Sequence, residues 1–547
     1  MTRPERDAPD NLSRVRTGAV SFTSEDLAGF SAASHDRNPL HLSENYARST
    51  PYGEPVVFGI LGVLAALGQL PDRPGRRLQS LSVEFRNPLA VGVSYRIDVS
   101  ATSSDCETVK LYDATRLMLK ATFAFTPGAA GTHPLQVYEM PSIAEASNRT
   151  KSDLTPGTRV AGNYSPGEKE FMQLVTRWGL SGKGATSHQI AALMWASFLV
   201  GMELPGQRAV FWRLILNFLP ELESHSGPFG YEAVVQELDE RFDLLYTTGS
   251  LSSGHTPGAT AKMWAFVRQD SPQPSLNRIT DILPPSQQLS GKVALVIGGS
   301  RGLGAAITQA LASQGCSVAM NYHRSPRDAD RVRASFGADS DRITLLQGDA
   351  ADSQWCATAR QTILDRYGKL DLLICNASPP IRPLPFAPER MAQFEEFLAG
   401  SLALVTVPMA SFLDTLAEQG GWSIVLSSMF VTEPPAEFPH YVTTKSAVEG
   451  LARWAALHYP KVRHLIVRPP KLLTDQTNTT LGRQGAMEVE QVAASLVRHI
   501  CSAPHSLTAE ILETFELKQE QPLDRDTCKR PGTDARQPPR DQPIGTS

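Results

Sequence analysis

The sequence predicts two modules of different class. The front is α+β, an apolar helix wrapped by a curved antiparallel sheet, built twice. The back is α/β, a doubly wound parallel sheet. Three observations carry this. First, GILGVLAALGQLPDRPGRRLQSLSVEF (59–85) and AALMWASFLVGMELPGQRAVFWRLILNF (191–218) follow one plan. Each is an apolar helix closing on Gly-x-Leu-Pro or Gly-x-x-Leu-Pro, then a basic turn, then an alternating strand. Second, strand, glycine turn and amphipathic helix patterns alternate from Val293 onward. Third, SPQPSLNRITDILPPSQQLSGK (271–292) has linker composition and separates the two patterns.

The bulk composition narrows the class. The chain has 547 residues, more than one hydrophobic core usually spans. Hydrophobic residues make up 41% and charged residues 20%, ordinary for a soluble globular protein. A net charge of −4 argues against nucleic acid as a partner. The six cysteines (106, 316, 356, 375, 501, 528) show no CxxC spacing, so no metal or redox motif is expected and a reducing compartment fits. The opening MTRPERDAPDNLSRVRTG lacks the apolar core of a secretory signal, and no apolar run approaches a membrane span, so a cytoplasmic protein without membrane contact is expected. Residues 1–17 and 520–547 read as disordered tails.

In the front part, Leu81, Val83 and Phe85 answer to Leu214, Leu216 and Phe218 at a period of two, hence one face of a sheet. SYRIDVSAT and LMLKATFAFTP follow in the first copy; EAVVQELDERF, LLYTTGSLSS and TAKMWAFVRQ follow in the second. The copies are expected at 18–130 and 161–270, joined by a linker at 131–160. A second linker at 271–289 leads to the back module at 290–515.

The segment SHDRNPLHLSENYARSTPYGEPVVFGILG (34–62) sets Asp36 and His41 around Asn38–Pro39 in a loop ahead of the first helix. A lone Asp and His at this spacing also describes a turn residue and a core histidine; the surrounding residues decide. Asp36, Asn38, Pro39, His41, Tyr46, Ala47, Gly53, Pro55 and Gly59 together resemble the signature of the MaoC-like (R)-specific enoyl hydratase/dehydratase family. The resemblance implies a double hot-dog fold. It departs at Phe58, where the family usually has His. Eliminating water from a 3-hydroxyacyl thioester needs a base at C2 and an acid at the leaving hydroxyl. His41 suits the first task and Asp36 the second. The Gly59 amide, opening a helix, would meet the charge that builds on the thioester oxygen. The second copy (164–196) lacks D-x-N-P-x-H and reads as a degenerate partner that completes the acyl tunnel. Its His188, at a helix start, suits a structural role better than a catalytic one.

The back module opens KVALVIGGSRGLGAAITQALASQGCSVAMNY. Gly299, Ser300, Arg301, Gly302, Leu303 and Gly304 form a turn between strand and helix, where backbone N–H groups meet a pyrophosphate. The next strand ends VAMNYHRSP, with no acid at its tip to bind a ribose 2′-hydroxyl. Arg301 and Arg324 stand there instead, so NADP(H) is expected over NAD(H). Farther on, Ser428 precedes Tyr441 by thirteen residues, and Lys445 follows by four, one helical turn. The ammonium is expected to lower the tyrosine pKa and prepare Tyr441 for proton transfer to or from a carbonyl oxygen.

With the glycine turn, this set resembles a Rossmann-like short-chain dehydrogenase/reductase over roughly 290–475. The resemblance assigns Asp349 to the adenine ring and keeps Asn376 and Ala377 of the family's strand end. It departs at Gly298 (family Thr), Ser401 (family Asn, in a proton relay) and Pro469–Pro470 (family Pro-Gly).

Together the resemblances imply a bifunctional 3-ketoacyl-thioester reductase and 3-hydroxyacyl-thioester dehydratase. The substrates would be chains on acyl carrier protein or coenzyme A, in polyketide or specialised fatty-acid biosynthesis. A β-oxidation-like hydratase/dehydrogenase and a mainly non-catalytic acyl-carrier-binding scaffold are the alternatives. Both domain types commonly associate, so a homodimer or homotetramer is expected.

Overall fold

The computed structural model describes residues 15–515, except 129–134, 141–144, 225–227, 255 and 504–507. The expected tails at 1–17 and 520–547 lie outside it save for residues 15–17, of which Arg16 and Thr17 belong to the first strand. The rest of the expected 131–160 linker that is described is short turns and coil, and the second half's first strand already starts at Arg159.

The front module is one antiparallel sheet of ten strands. Its first half supplies β1 (Arg16–Val20), β2 (Arg76–Phe85), β3 (Tyr95–Ser103), β4 (Cys106–Asp113) and β5 (Arg116–Pro127). Its second half supplies β6 (Arg159–Tyr164), β7 (Ala209–Phe218), β8 (Phe229–Asp239), β9 (Leu244–Ser253) and β10 (Thr256–Val267). The order is β1-β3-β4-β5-β2-β7-β10-β9-β8-β6, so each half mirrors the other. The two halves meet where β2 pairs with β7, with Leu81 opposite Leu216 and Val83 opposite Leu214. The residues that correspond in the sequence repeat are therefore exchanged across a local two-fold. Helices Gly59–Gly68 and Ser187–Phe198 are buried almost all round, and a single hydrophobic core runs through both halves. A helix this apolar on every side has no solvent face to offer and is stable only inside such a wrap.

The back module is a seven-stranded parallel sheet: β11 (Val293–Ile297), β12 (Ser317–Tyr322), β13 (Ile343–Gln347), β14 (Leu372–Cys375), β15 (Trp422–Leu426), β16 (Arg463–Val467) and β17 (Glu510–Leu512). Their order is β13-β12-β11-β14-β15-β16-β17, so the winding reverses between β11 and β14. Along β11, Ala294 and Val296 enter one core while Val293, Leu295 and Ile297 enter the other. Alternate residues serve opposite faces, and both faces are covered.

Two sequence expectations are corrected here. The 271–289 stretch is not a bare linker. It contains helix Leu276–Ile282, whose Ile279 is buried, with Leu283 and Leu289, in the back core. Residues 279 and 283 share a helical face, a period too short to stand out in a Pro- and Gln-rich segment. Helix Met391–Gln419 also carries an apolar stretch long enough to cross a membrane. In this fold it sends Val405, Met409, Phe412 and Leu416 into the back core.

The described residues of both modules belong to one compact unit. Arg390 is buried between them, donating to Asp113 at 2.7 Å and to the Ser94 carbonyl at 3.1 Å. Arg382 pairs with Glu54, and Ser271 with Asp475. The five cysteines among the described residues are free thiols.

Candidate active sites

Helix Ser24–Ser34 ends with His35 in the left-handed region (φ 58°), which turns the chain so that Asp36 enters the interior. Asn38 then caps the turn Pro39–Leu42 through its side-chain oxygen, which accepts from Leu40 N at 3.0 Å. Its amide donates to the carbonyls of Gly201 and Gly206, at 3.2 and 3.0 Å, in the second half. Asp36 is buried, with one carboxylate oxygen accepting from Asn38 N at 3.1 Å and the other from Ser197 Oγ at 2.8 Å. Desolvation raises its pKa to about 7, against the opposing pull of those hydrogen bonds.

His41 Nδ1 lies 2.7 Å from the Val56 carbonyl. A carbonyl only accepts, so Nδ1 carries the proton and Nε2 keeps its lone pair. Burial, and secondarily Arg268, lower the His41 pKa to about 4. Its ring stacks on Phe58 at 3.9 Å between centroids. Phe58, where the resembled family has His, is thus a buried wall that fixes the imidazole plane.

Asp36, His41 and Gly59 line one cavity of about 380 Å³. Helix Gly59–Gly68 begins without a side-chain cap, so its first N–H groups are available to that cavity. Helix Ser187–Phe198 is built oppositely. Thr186 and Gln189 close a reciprocal capping box there, at 3.1 and 3.2 Å. His188 is buried edge-on to the Phe229 ring and away from any such opening. The second half instead supplies Ser197 and Gly201. A Cβ on Gly201 would fall 2.3 Å from Asp36 Oδ1. Sequence reasoning missed both residues, because they face Asp36 only after the two helices pack together. The same cavity is also walled by Asn478, Thr479, Thr480, Leu481 and Arg483 of the back module.

In the back module, Gly298 has φ 73° and a Cβ there would strike Ala377, which accounts for glycine in place of Thr. A Cβ on Gly304 would sit 2.0 Å from the Gly298 carbonyl, so the turn and helix close only with glycine. Asn376 holds the same carbonyl at 3.0 Å. Asn321 was not anticipated. Its side chain accepts from Gly298 N at 3.1 Å and donates to the Gly348 carbonyl at 3.0 Å, tying two loops to β12. Gly299 and Ser300 lie in this turn, and Gly302 and Leu303 open the helix Gly302–Ser313 that follows it, at the switch point between β11 and β14. Asp349 is exposed and accepts from Ala351 N at 3.0 Å. Arg324 is exposed just past β12. Arg301 is already engaged, with Asp475 at 3.3 Å and the Arg48 carbonyl at 3.1 Å.

Ser428, Tyr441 and Lys445 come together. The Ser428 hydroxyl acts on the phenol to lower its pKa, and the Lys445 Nζ lies 5.5 Å from the Tyr441 ring centroid. Lys445 Nζ donates to the Leu426 carbonyl at 2.6 Å. The expected lowering of the tyrosine pKa is overturned. Burial dominates and pushes Tyr441 up to about 12 and Lys445 down to about 8. Near neutrality the pair is therefore a protonated phenol beside a charged ammonium. Ser401 is buried, and its Oγ has no hydrogen-bond partner among the described residues. Among those residues no His, Cys, Asp or Glu cluster could hold a metal ion.

The parallel sheet, its glycine turn and the Ser–Tyr–Lys set define a nicotinamide-dependent oxidoreductase, joined to a front module with an Asp–His pair. Residues 292–484 match the short chain dehydrogenase family, and residues 9–118 match the MaoC like domain. The chain belongs to the short chain dehydrogenase family and carries a MaoC-like domain ahead of it. An uncharacterized oxidoreductase of Mycobacterium tuberculosis is 30% identical over 191 residues, 34% of this chain and 72% of that one. Hydroxynaphthalene reductase of Aspergillus fumigatus is 31% identical over 172 residues, 31% of this chain and 62% of its own length. A Brucella melitensis 3-ketoacyl-(acyl-carrier-protein) reductase structure, complexed with NADH, aligns at TM-score 0.37 and 21% identity, covering 41% of this chain and 97% of that one.

Proposed function

We propose that the protein is a bifunctional 3-ketoacyl-thioester reductase and 3-hydroxyacyl-thioester dehydratase, its front module a double hot-dog. The observation that carries this is the shared cavity wall. The back module's Asn478–Arg483 segment borders the same space as Asp36 and His41. Two chemistries that share a 3-hydroxyacyl intermediate thus stand in one compact unit. We take the acyl carrier to be acyl carrier protein or coenzyme A, and the setting to be polyketide or specialised fatty-acid assembly in the cytoplasm.

NADP(H) fits the back module: the Gly298–Gly304 turn leaves room for close backbone approach, and the β12 tip is basic rather than acidic. When bound, it supplies hydride to C3 of the ketone. Tyr441, protonated at pH 7, gives its proton to the carbonyl oxygen. Ser428 orients that oxygen. Lys445 stabilises the resulting phenolate. A phenol held at a pKa of about 12 is protonated near neutrality, the form in which it can donate in the reductive step.

In the front module, His41 Nε2 removes the C2 proton. Asp36, half protonated near pH 7, gives a proton to the C3 hydroxyl, which leaves as water. The electron pair of the C2–H bond becomes the C2–C3 double bond. The Gly59 N–H meets the transient charge on the thioester oxygen. Proton return from His41 to Asp36 resets the site.

The test offers a 3-ketoacyl thioester and NADPH and follows the acyl mass. Gain of two hydrogens, then loss of one water, is the expected sequence. His41→Ala should stop at the hydroxy product and Tyr441→Phe at the ketone. Unchanged product from both variants would remove His41 and Tyr441 from the chemistry, and no product from the parent would leave only a scaffold.

A further inference from the structure

We propose that Arg48, carried by the front module, completes the reductase's cofactor site and binds the 2′-phosphate of NADP(H) across the module boundary. This rests on the NADP(H) reading above and adds a residue that no feature of the back module supplies.

Arg48 lies in the loop after the Asp36–His41 segment, with its side chain only 17% exposed. Its Nη1 donates to the main-chain carbonyl of Arg324 at 3.0 Å. The guanidinium therefore sits against the tip of β12, where a dinucleotide's adenosine ribose is read in this kind of sheet. Arg301, from the glycine turn, reaches the same corner and donates to the Arg48 carbonyl at 3.1 Å. Arg301 is largely neutralised by Asp475 at 3.3 Å and Asp328 at 4.0 Å, and Asp328 also pairs with Arg331. Arg48 is not. Its one ion pair among the described residues is with Glu44, at 3.7 Å, a carboxylate that is 75% exposed. Its one hydrogen bond there is the Arg324 carbonyl, which leaves most of its five donors for a ligand.

Arg48, Arg301 and Arg324 thus share one corner, and the field of the last two adds to burial in lowering the Arg48 pKa. Like charges gathered this way are relieved by a dianion. A phosphate monoester at the ribose 2′ position provides one, and a pair of its terminal oxygens matches the guanidinium fork. NAD(H) carries only a hydroxyl at that position. The front module then helps set the coenzyme preference of the back module, and the loop seven residues past His41 is held by bound cofactor.

The test is equilibrium binding to the full chain, by calorimetry or by nicotinamide fluorescence, for NADPH, NADH and 2′-phosphoadenosine. Arg48→Ala, Arg48→Lys and Arg324→Ala are compared with the parent, and melting curves confirm folding. Arg48→Ala should weaken NADPH and 2′-phosphoadenosine roughly 10- to 100-fold and leave NADH within about twofold. Arg48→Lys should recover part of the loss. If Arg324→Ala weakens NADPH selectively but Arg48→Ala does not, the cross-module contact is refuted while the NADP(H) reading stands. Equal loss of NADPH and NADH in Arg48→Ala would show a packing role and also refute it. If the parent binds both coenzymes alike and neither variant discriminates, the NADP(H) reading itself falls.

Discussion

The second half of the front module has no acid–base pair of its own, yet the first site depends on it, and Gly201→Ala tests that dependence. Gly201 lies in the π-helical turn Leu199–Glu203 that follows the second central helix, and its φ does not require glycine. The substitution therefore acts through space alone. The added Cβ would stand 2.3, 2.6 and 2.7 Å from Oδ1, Oδ2 and Cγ of Asp36. Ordinary contact begins near 3.4 Å, so the carboxyl must retreat by about 1 Å (3.4 − 2.3). The retreat pulls it off Ser197 Oγ and Asn38 N, the two groups that aim it. Misplacing a catalytic group by 1 Å costs on the order of 100-fold in rate. The assay is dehydration of a 3-hydroxyacyl thioester, followed by enoyl absorbance, with NADPH-linked ketone reduction measured on the same sample. Dehydration should fall about 100-fold. Reduction should hold within about twofold, since the substitution lies in the other module. Dehydration within about threefold of the parent would mean that Asp36 does not act from this position, and the proposed acid would be lost.

Four further outcomes are expected. Dehydration should be bell-shaped in pH, declining below about 4 as His41 protonates and above about 7 as Asp36 ionises. Because the folded Asp36 pKa is raised above its ordinary 3.8, its contribution to stability is complete below about pH 4 and is lost as pH rises through about 7. Chemical denaturation from pH 5 to 8 should show that decline in the parent and a flatter profile in Asp36→Asn. Phe58→His, which restores the residue of the resembled family, buries a polar ring between Phe30 and His41 and should lower stability by roughly 1–3 kcal/mol in a urea titration. Ketone reduction should fall above about pH 8 as Lys445 loses its charge, and Lys445→Met should remove that limb together with most of the activity; an unaltered alkaline limb would exclude Lys445 as its source.

Much of this was legible in the chain. Period-two alternation in Leu81–Phe85 and Leu214–Phe218 exposed the repeat, and those strands pair across the local two-fold. Spacings set by local geometry were equally readable. Tyr441 and Lys445 lie one helical turn apart, and Gly304 stands where a Cβ would collide with the Gly298 carbonyl of its own turn. Local rules governed these positions, so local sequence was enough. Tertiary packing decided the remainder. Ser197 and Gly201 meet Asp36 across more than 160 residues because two buried helices pack side by side. Arg48 reaches Arg324 across 276 residues because two modules dock. Tyr441 is an acid near neutrality because burial outweighs the opposing pull of the Ser428 hydroxyl, a balance that exists only once the chain has closed over both groups.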